Sequence, residues 1–167
     1  SRKIKTVYFG GGTPNLFSID LIEILFKEIH SVMDIEEDSE ISFEVNPLHM
    51  FSDSSIEEYF RDLNHLGVNR ISVGAQSFDE MSLQRIGREH NTEEIELFLT
   101  EACKIFKNVN IDLMYGLPGK NQMKVRKDID TLKTFNVAHT SYYQLTIEPG
   151  TLFYSNTPKL PSEDVIW

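Results

Sequence analysis

A run of three glycines is the stretch of this sequence best suited to hold a ligand. Gly10–Gly12 follows residues 6–9, whose β-branched and aromatic types predict a short buried strand. Because glycine has no Cβ, the backbone can approach a ligand closely, and its N–H groups can bind an anion or a carboxylate. The run matches neither common nucleotide motif: a dinucleotide fingerprint would need glycine at Asn15, and no phosphate-loop sequence occurs. A plain tight turn is the alternative.

Carboxylates and amides interrupt or end the other apolar runs. Glu44 stands within residues 41–45 and Asp112 within residues 110–114. Each needs a partner, because an unpaired buried charge costs several kcal/mol. These groups suit a ligand with an amine, a carboxylate and a ribose. Backbone N–H groups would bind the carboxylate, Glu44 or Asp112 would bind the amine or the hydroxyls, and Gln76 would add a neutral contact. A core hydrogen bond or a helix cap is the alternative for any one of these residues.

Five strands must position these residues. Strand patterns begin near residues 6, 41, 70, 110 and 140, and helical periodicity fills the intervals between them. Such crossovers impose a parallel α/β sheet, which we expect in sequential strand order. The repeat leaves two architectures open, a doubly wound sheet and part of a (β/α) barrel, and in both the ligand binds at the carboxyl ends of the strands. We therefore expect Glu44, Gln76 and Asp112 to face one cavity.

Helix caps divide the intervals. The predicted helices span residues 18–33, 54–66, 79–86, 91–106 and 125–135. Ser18 is a predicted N-cap, Ser54–Glu57 and Asn91–Glu94 resemble capping boxes, and Gly67 is a predicted helix end. The acidic stretch 34–40 is expected to return the chain across the surface.

Composition excludes several classes of partner. The chain has 167 residues and a net charge of −10, from 16 basic and 26 acidic side chains, which argues against nucleic acid or an anionic membrane as the main partner. No apolar run approaches the ~20 residues of a transmembrane helix, so no transmembrane segment is predicted. Cys103 is the only cysteine. It is expected to pack as a small hydrophobe, and a lone thiol is consistent with a cytoplasmic protein.

Five segments carry a family resemblance. They are Tyr8–Pro14 (YFGGGTP), Glu44–Pro47 (EVNP), Gly67–Phe78 (GVNRISVGAQSF), Arg85–His90 (RIGREH) and Asn110–Gly119 (NIDLMYGLPG). In this order they resemble the radical SAM proteins related to oxygen-independent coproporphyrinogen III oxidase. The resemblance implies a partial (β/α) barrel, related to the TIM barrel, that uses S-adenosylmethionine and a [4Fe–4S] cluster.

The resemblance also implies roles for individual residues. Gly11, Gly12 and Thr13 match the positions that hold the methionyl part of the cofactor. The other matching contacts to S-adenosylmethionine are Glu44, Gln76, Arg88, Asp112 and Thr146, among which Asp112 suits the ribose hydroxyls. No catalytic residue and no metal ligand is assigned within this chain.

The family's cysteine motif is absent. A C-x-x-x-C-x-x-C segment holds the cluster and precedes the glycine run in the family, and Cys103 cannot replace it because a cluster needs at least three thiolates. The resemblance therefore implies a fragment, inactive by itself, that begins at the second strand of the barrel. Residues 1–154 are expected to form a partial core barrel, and residues 155–167 the start of a linker toward a missing C-terminal region.

The resemblance implies a function in porphyrin or haem metabolism. The main reading is a cytoplasmic oxidoreductase of porphyrin synthesis, in which a 5′-deoxyadenosyl radical removes hydrogen from two propionates, which lose CO₂ and become vinyl groups. Its partners would be a porphyrinogen or haem and an electron donor for the cluster. Residues 141–151 resemble a branch that includes haem chaperones, so a haem-binding chaperone is the alternative.

A third interpretation of the sequence does not depend on the family resemblance. An unrelated α/β-barrel hydrolase or isomerase is disfavoured, since the sequence has no Ser-His-Asp arrangement at recognisable spacing and no H-x-x-H motif. The five histidines are scattered, and most are expected at the surface or in helix caps.

Overall fold

The computed structural model describes residues 3–47, 55–119 and 121–166. The strands are β1 (Ile4–Phe9), β2 (Ile35–Val45), β3 (Arg70–Gln76), β4 (Asn108–Tyr115) and β5 (His139–Gln144). The α-helices are α1 (Ile19–Val32), α2 (Ile56–His65), α3 (Glu80–Arg85), α4 (Thr92–Ile105), α5 (Gln122–Leu132), α6 (Leu152–Ser155) and α7 (Glu163–Ile166). A short 3₁₀ helix, Pro14–Leu16, follows the glycines.

The strands form one parallel sheet in the order β1-β2-β3-β4-β5, as predicted. A doubly wound sheet reverses its strand order at a switch point, whereas the order here never reverses. The sheet is accordingly half of a barrel, with helices on its outer face. This resolves the choice between the two architectures that the repeat left open.

The two faces of the sheet differ in chemistry because side chains alternate along each strand. The outward residues of the three central strands are buried beneath α2 and α4. They pack with Phe60, whose ring centroid lies 4.8 Å from that of Phe98. The inward, concave face carries polar side chains: Tyr8, Ser42, Glu44, Arg70, Ser72, Asn110, Asp112, Ser141 and Tyr143. Hydrogen bonds join Tyr8 to Glu44 and Arg70 to Ser42, and a third group connects Asn110 with Ser72, Asp112 and Ser141. The fold therefore places its apolar core outside the sheet and its polar residues inside.

The helix caps follow local sequence closely. The Ser18 side chain accepts a hydrogen bond from the N–H of Leu21, and Asn91 and Glu94 form the predicted capping box. Gly67 has φ +103°, as expected of a helix-ending glycine. The predicted cap Ser54 lies outside the described residues; α2 is capped by Ser55, whose side chain accepts from the N–H of Glu58.

The prediction for the acidic stretch 34–40 is wrong. Residues from Ile35 onward form the first half of β2, where Ile35 pairs with Ile4 and Glu40 with Thr6. Pairing with the edge strand β1 satisfies the backbone while most of the acidic side chains remain in solvent. The fifth strand spans His139–Gln144, so it begins close to residue 140, as the strand pattern predicts.

Other expectations concern the helices. Cys103 is half-buried on α4 and packs against the core, and burial raises the pKa of its thiol. Within the described ranges, no helix combines the length and apolar character needed to cross a membrane.

Candidate functional site

Glu44 links the glycine run to the sheet. Its carboxylate accepts hydrogen bonds from the Tyr8 hydroxyl (2.7 Å to Oε1) and from the N–H of Gly11 (2.9 Å to Oε2). A Cβ on Gly10 would stand 2.7 Å from the Tyr8 ring and 2.9 Å from the Glu44 carboxyl carbon, so only glycine permits this approach. Gly11 and Gly12 have φ of +83° and +58°, and nothing lies within 4 Å of a Cβ built on either. The run is thus closely packed at its first glycine and open at the next two.

Asp112 is half-buried on the concave face of β4. The Ser72 hydroxyl donates to its Oδ2 (3.0 Å), and Asn110 Nδ2 donates to its Oδ1 (2.8 Å). Both donors are neutral, and an ionised carboxylate has about four acceptor positions. Asp112 therefore retains capacity to accept hydrogen bonds from ligand hydroxyls.

Gln76 ends β3 in a strained conformation. Its φ is +67°, in the left-handed region that residues other than glycine seldom adopt. The register with β4 shifts between Val73 and Gln76, which forms a bulge, and bulges commonly re-aim side chains beside functional sites. Gln76 Oε1 accepts a hydrogen bond from the Tyr143 hydroxyl (3.1 Å). Because Gly74 has no Cβ, the Asn46 side-chain amide can lie against its backbone.

Arg88 supplies a positive charge. Its Nη1 donates to Asn46 Oδ1 (3.3 Å), and Asn46 Nδ2 lies 3.5 Å from the Thr13 hydroxyl. The Asn15 side chain holds the backbone of Asn46 through two hydrogen bonds, at 2.9 and 3.0 Å. Burial lowers the pKa of Arg88, but guanidinium remains charged at neutral pH. Its planar donors suit a ligand carboxylate.

Two tyrosines are held as hydrogen-bond donors. Burial, then the hydrogen bond and charge of Glu44, raise the pKa of Tyr8. Burial and then the charge of Asp112 raise the pKa of Tyr143. Both hydroxyls therefore stay protonated at neutral pH. The charge of Arg88 acts on the pKa of Tyr143 in the opposite direction and lowers it, whereas the charge of Glu44 raises it.

His90 does not follow the expectation of a surface or capping role. It is 3% exposed, and its Nε2 has no hydrogen-bond partner in the part of the chain that the structure describes. Burial, and then the charge of Arg88, lower the pKa of His90. A neutral imidazole therefore lies beside Arg88.

The structure brings most of the predicted site residues together. Contacts join Gly11 to Glu44, Thr13 to Arg88 through Asn46, and Gln76 to Tyr143. Gly12 adjoins Gly11, and Asp112 lies on the concave face of β4, two strands away from Glu44 on β2. Thr146 is the exception: it is exposed, two residues beyond the end of β5, and no described contact ties it to the others.

Sequence reasoning missed four residues that hold these groups. They are Tyr8, Ser72, Asn110 and Tyr143. A signal was available for Asn110, because it lies two residues before the predicted site residue Asp112 on the same strand. Residues at even spacing share a face of a strand.

Comparison with known proteins identifies the family. The sequence pattern of the Radical SAM superfamily matches residues 1–132. The chain belongs to this superfamily. It is 41% identical over 168 residues to the heme chaperone HemW of Haemophilus influenzae, covering 99% of this chain and 42% of that protein. It is 39% identical to HemW of Escherichia coli, covering 99% and 43%. The chain thus spans less than half the length of these relatives.

Solved structures agree with this assignment. Coproporphyrinogen III oxidase (HemN) of E. coli, described as a radical SAM enzyme, superimposes with a TM-score of 0.86 at 28% identity, over 99% of this chain and 38% of that one. The archaeal Elp3 of Methanocaldococcus infernus shares the fold, with a TM-score of 0.75 at 18% identity over 98% and 43%. The predicted family and partial barrel are confirmed.

The superfamily uses S-adenosylmethionine and a [4Fe–4S] cluster. The donors around the cavity fit the first, since they offer a guanidinium, two carboxylates and an open glycine backbone at Gly11 and Gly12. They do not fit the second. The sequence has one cysteine, and no cluster of three His, Cys, Asp or Glu side chains that could hold a metal occurs within residues 3–47, 55–119 and 121–166.

Proposed function

We propose that this chain provides the S-adenosylmethionine-binding part of a haem chaperone. The observation that carries the proposal is the set of hydrogen-bonded polar side chains on the concave face and at the strand ends, in a chain whose HemW relatives match 99% of its length at about 40% identity. The names of these relatives favour the chaperone over the oxidase that the sequence resemblance put first. Haem, or a related porphyrin, is the proposed cargo.

The methionyl end of the cofactor is assigned to the glycine run. Arg88 offers planar donors to the carboxylate, together with the backbone of Gly11, Gly12 and Thr13. Glu44 offers an acceptor to the amine. The N–H of Gly11 donates to Glu44 at 2.9 Å, so a ligand carboxylate that takes this donor releases one oxygen of Glu44 for the amine.

The nucleoside end is assigned to the opposite side of the cavity. Asp112 accepts the ribose hydroxyls, and Gln76, held by Tyr143, adds a neutral contact. Thr146 remains a predicted contact. S-adenosylmethionine would supply a 5′-deoxyadenosyl radical in a protein that also holds a reduced cluster, and the residues of this chain would bind and orient the cofactor.

A second candidate function is oxidation of coproporphyrinogen III. The observation in its favour is the structural likeness to the E. coli oxidase, with a TM-score of 0.86. In that reaction each of two propionates would lose one hydrogen atom to a 5′-deoxyadenosyl radical, then CO₂ and one electron, which passes to an electron acceptor, and would become a vinyl group.

The test uses the complete polypeptide that contains this sequence, purified without oxygen and supplied with iron and sulfide. Haem is titrated into it and followed by its absorption spectrum. In parallel, coproporphyrinogen III, S-adenosylmethionine, a reductant and an electron acceptor are added, and the product is analysed for vinyl groups. Stoichiometric haem binding without vinyl product supports the chaperone. Vinyl product supports the oxidase. The proposal is rejected if the polypeptide does not bind S-adenosylmethionine, and also if it does not bind haem.

A further inference from the structure

Asn110 is a buried amide whose hydrogen-bonding capacity is fully used. It is 1% exposed on β4. Its Nδ2 donates to the Ser72 hydroxyl (2.7 Å) and to Asp112 Oδ1 (2.8 Å). Its Oδ1 accepts from His139 Nδ1 (2.6 Å) and from the Ser141 hydroxyl (3.3 Å). Ser72 in turn donates to Asp112 Oδ2, which closes a ring of three residues.

The chemistry of the partners dictates which way the amide points. An ionised carboxylate can only accept, so the NH₂ group of Asn110 must face Asp112. The amide oxygen must then face His139, whose Nδ1 must carry a proton to donate to it. Hydrogen bonds from β5 are thus directed through Asn110 onto Asp112.

We propose that Asn110 is a positioning residue that holds the Asp112 carboxylate in one orientation, with its remaining acceptor positions toward the ribose hydroxyls of S-adenosylmethionine. The inference rests on the proposed function. Asn110 does not touch the cofactor; it acts by presenting a donor to Asp112 and by orienting the Ser72 hydroxyl, the second donor.

Charged and titratable groups surround this ring. Tyr8 on β1 and Tyr143 on β5 both respond to the charge of Asp112. Glu44 on β2 lies on the same concave face and accepts a hydrogen bond from Tyr8, and Arg88 donates to Asn46, which directly follows β2. His139 is in direct contact with Asn110. A neutral donor at position 110 therefore adds no charge to a cavity that already holds two carboxylates.

The decisive variant is Asn110→Asp, which keeps the shape and places a second carboxylate against Asp112. Two carboxylates at this distance share a proton. While that proton is present, the introduced group still donates to Asp112; once it is lost, the two groups repel and Asp112 turns away. The ratio of variant to wild-type affinity for S-adenosylmethionine should stay within about threefold of one at pH 6. It should fall at least tenfold by pH 8.5. Taking the ratio cancels titration of the cofactor itself.

Asn108→Asp is the matched control. Asn108 lies on the same strand, and its Nδ2 is 3.4 Å from Glu40 Oε2. The substitution likewise faces a carboxylate, but it lies about 13 Å along the strand from Asp112, at ~3.3 Å per residue. Its affinity ratio should not change with pH. Affinity is measured by calorimetry on the complete polypeptide that contains this sequence, and folding is checked by circular dichroism.

The outcomes separate this inference from the proposed function. An Asn110→Asp protein that binds like wild type at every pH, or that loses affinity equally at every pH, overturns the inference. If this variant does not fold, Ser72→Ala decides: a loss of threefold or more supports the inference, and unchanged affinity overturns it. Asp112→Asn is run alongside. If the wild type does not bind, or Asp112→Asn binds as well as wild type, the proposed assignment of the ribose fails and this inference with it.

Discussion

Gly10 is the residue at which the candidate site tolerates least change. Its Cβ position is blocked by the Tyr8 ring and the Glu44 carboxyl, although its backbone conformation is one that any residue can adopt. A side chain there would have to displace Glu44 from its bonds to Tyr8 and to the N–H of Gly11. The requirement for glycine is therefore steric and concerns the ligand site directly.

We expect Gly10→Ala to lower the affinity for S-adenosylmethionine by tenfold or more, measured by calorimetry on the complete polypeptide. Gly67→Ala is the control. Gly67 ends α2 with φ +103°, at the opposite end of the sheet from the site. Its substitution should cost about 1–3 kcal/mol of unfolding free energy and leave the affinity unchanged. Equal affinities for the two variants would contradict the assignment of the glycine run.

Single residues differ in how far sequence alone reveals them. Glu44 and Asp112 can be predicted because a carboxylate inside an apolar run needs a partner. Asn110 and Ser72 cannot be placed in the same way, since a small polar residue in a strand is satisfied by many neighbours. Their contact depends on the register between β3 and β4, which pairs Ser72 with Asn110 and is set by tertiary structure.

At the scale of elements, Asp79 joins two helices near the site. It caps α3 by accepting from the N–H and hydroxyl of Ser82, and it accepts from Lys124 Nζ at 2.9 Å on α5. Burial by itself would raise the pKa of Asp79, but the hydrogen bonds from Ser82 and Lys124 and the charge of Lys124 outweigh it, so the pKa lies below its ordinary value.

Asp79→Ala should lower the unfolding free energy by about 1–2 kcal/mol at pH 7. A lowered pKa means that the ionic part of this stabilisation is present above the unfolded pKa of about 4 and is lost as the pH falls through the folded value. The difference from wild type in urea unfolding should therefore narrow below about pH 4. Asp130→Ala, which breaks an exposed pair with Lys133, should change stability by less than about 0.5 kcal/mol. If the difference in unfolding free energy between Asp79→Ala and wild type were the same at every pH, an ionic contribution of Asp79 to stability would be excluded.

Helices and strands can be predicted from the sequence where the residues that determine their ends lie close together along the chain. The caps at Ser18 and Asn91 are correct because they depend on residues three positions apart. The start of β2 is missed because acidic residues disfavour a strand, and only pairing with Ile4 and Thr6 on β1 reverses this.

At the scale of the whole molecule, the chain combines proposed cofactor contacts with a single cysteine. We expect the chain by itself, treated with iron, sulfide, dithionite and S-adenosylmethionine, to show no cluster absorbance and no 5′-deoxyadenosine. A cluster needs at least three thiolates, and Cys103 is the only cysteine. Both signals should appear in a protein that supplies the three-cysteine motif upstream of β1. Substantial 5′-deoxyadenosine from the chain alone would refute the prediction.

The outer side of α1 exposes an apolar surface patch. Leu21, Ile24 and Leu25 are 54%, 56% and 45% exposed and lie together at helical spacing. Apolar patches of this kind promote association. Leu21→Glu combined with Leu25→Lys should shift the chain toward monomer in sedimentation velocity. Leu97→Lys, at an exposed position on α4, should not. An unchanged sedimentation profile for the double variant would show that this face does not mediate association.

The opposed chemistry of the two sheet faces restricts how a protein of this kind can change in length. Loss of one residue inside β2 would turn Glu44 toward the helices and turn its apolar neighbour toward the concave face. Every residue of the strand beyond the deletion would likewise point to the opposite face of the sheet. Substitutions on the concave face carry no such penalty, so new ligands can be acquired one side chain at a time. The two register shifts in the sheet, between Ile4 and Thr6 and between Val73 and Gln76, both lie near strand ends. Insertions and deletions in related chains should therefore concentrate in the loops and at these two points, while the strand interiors keep their length.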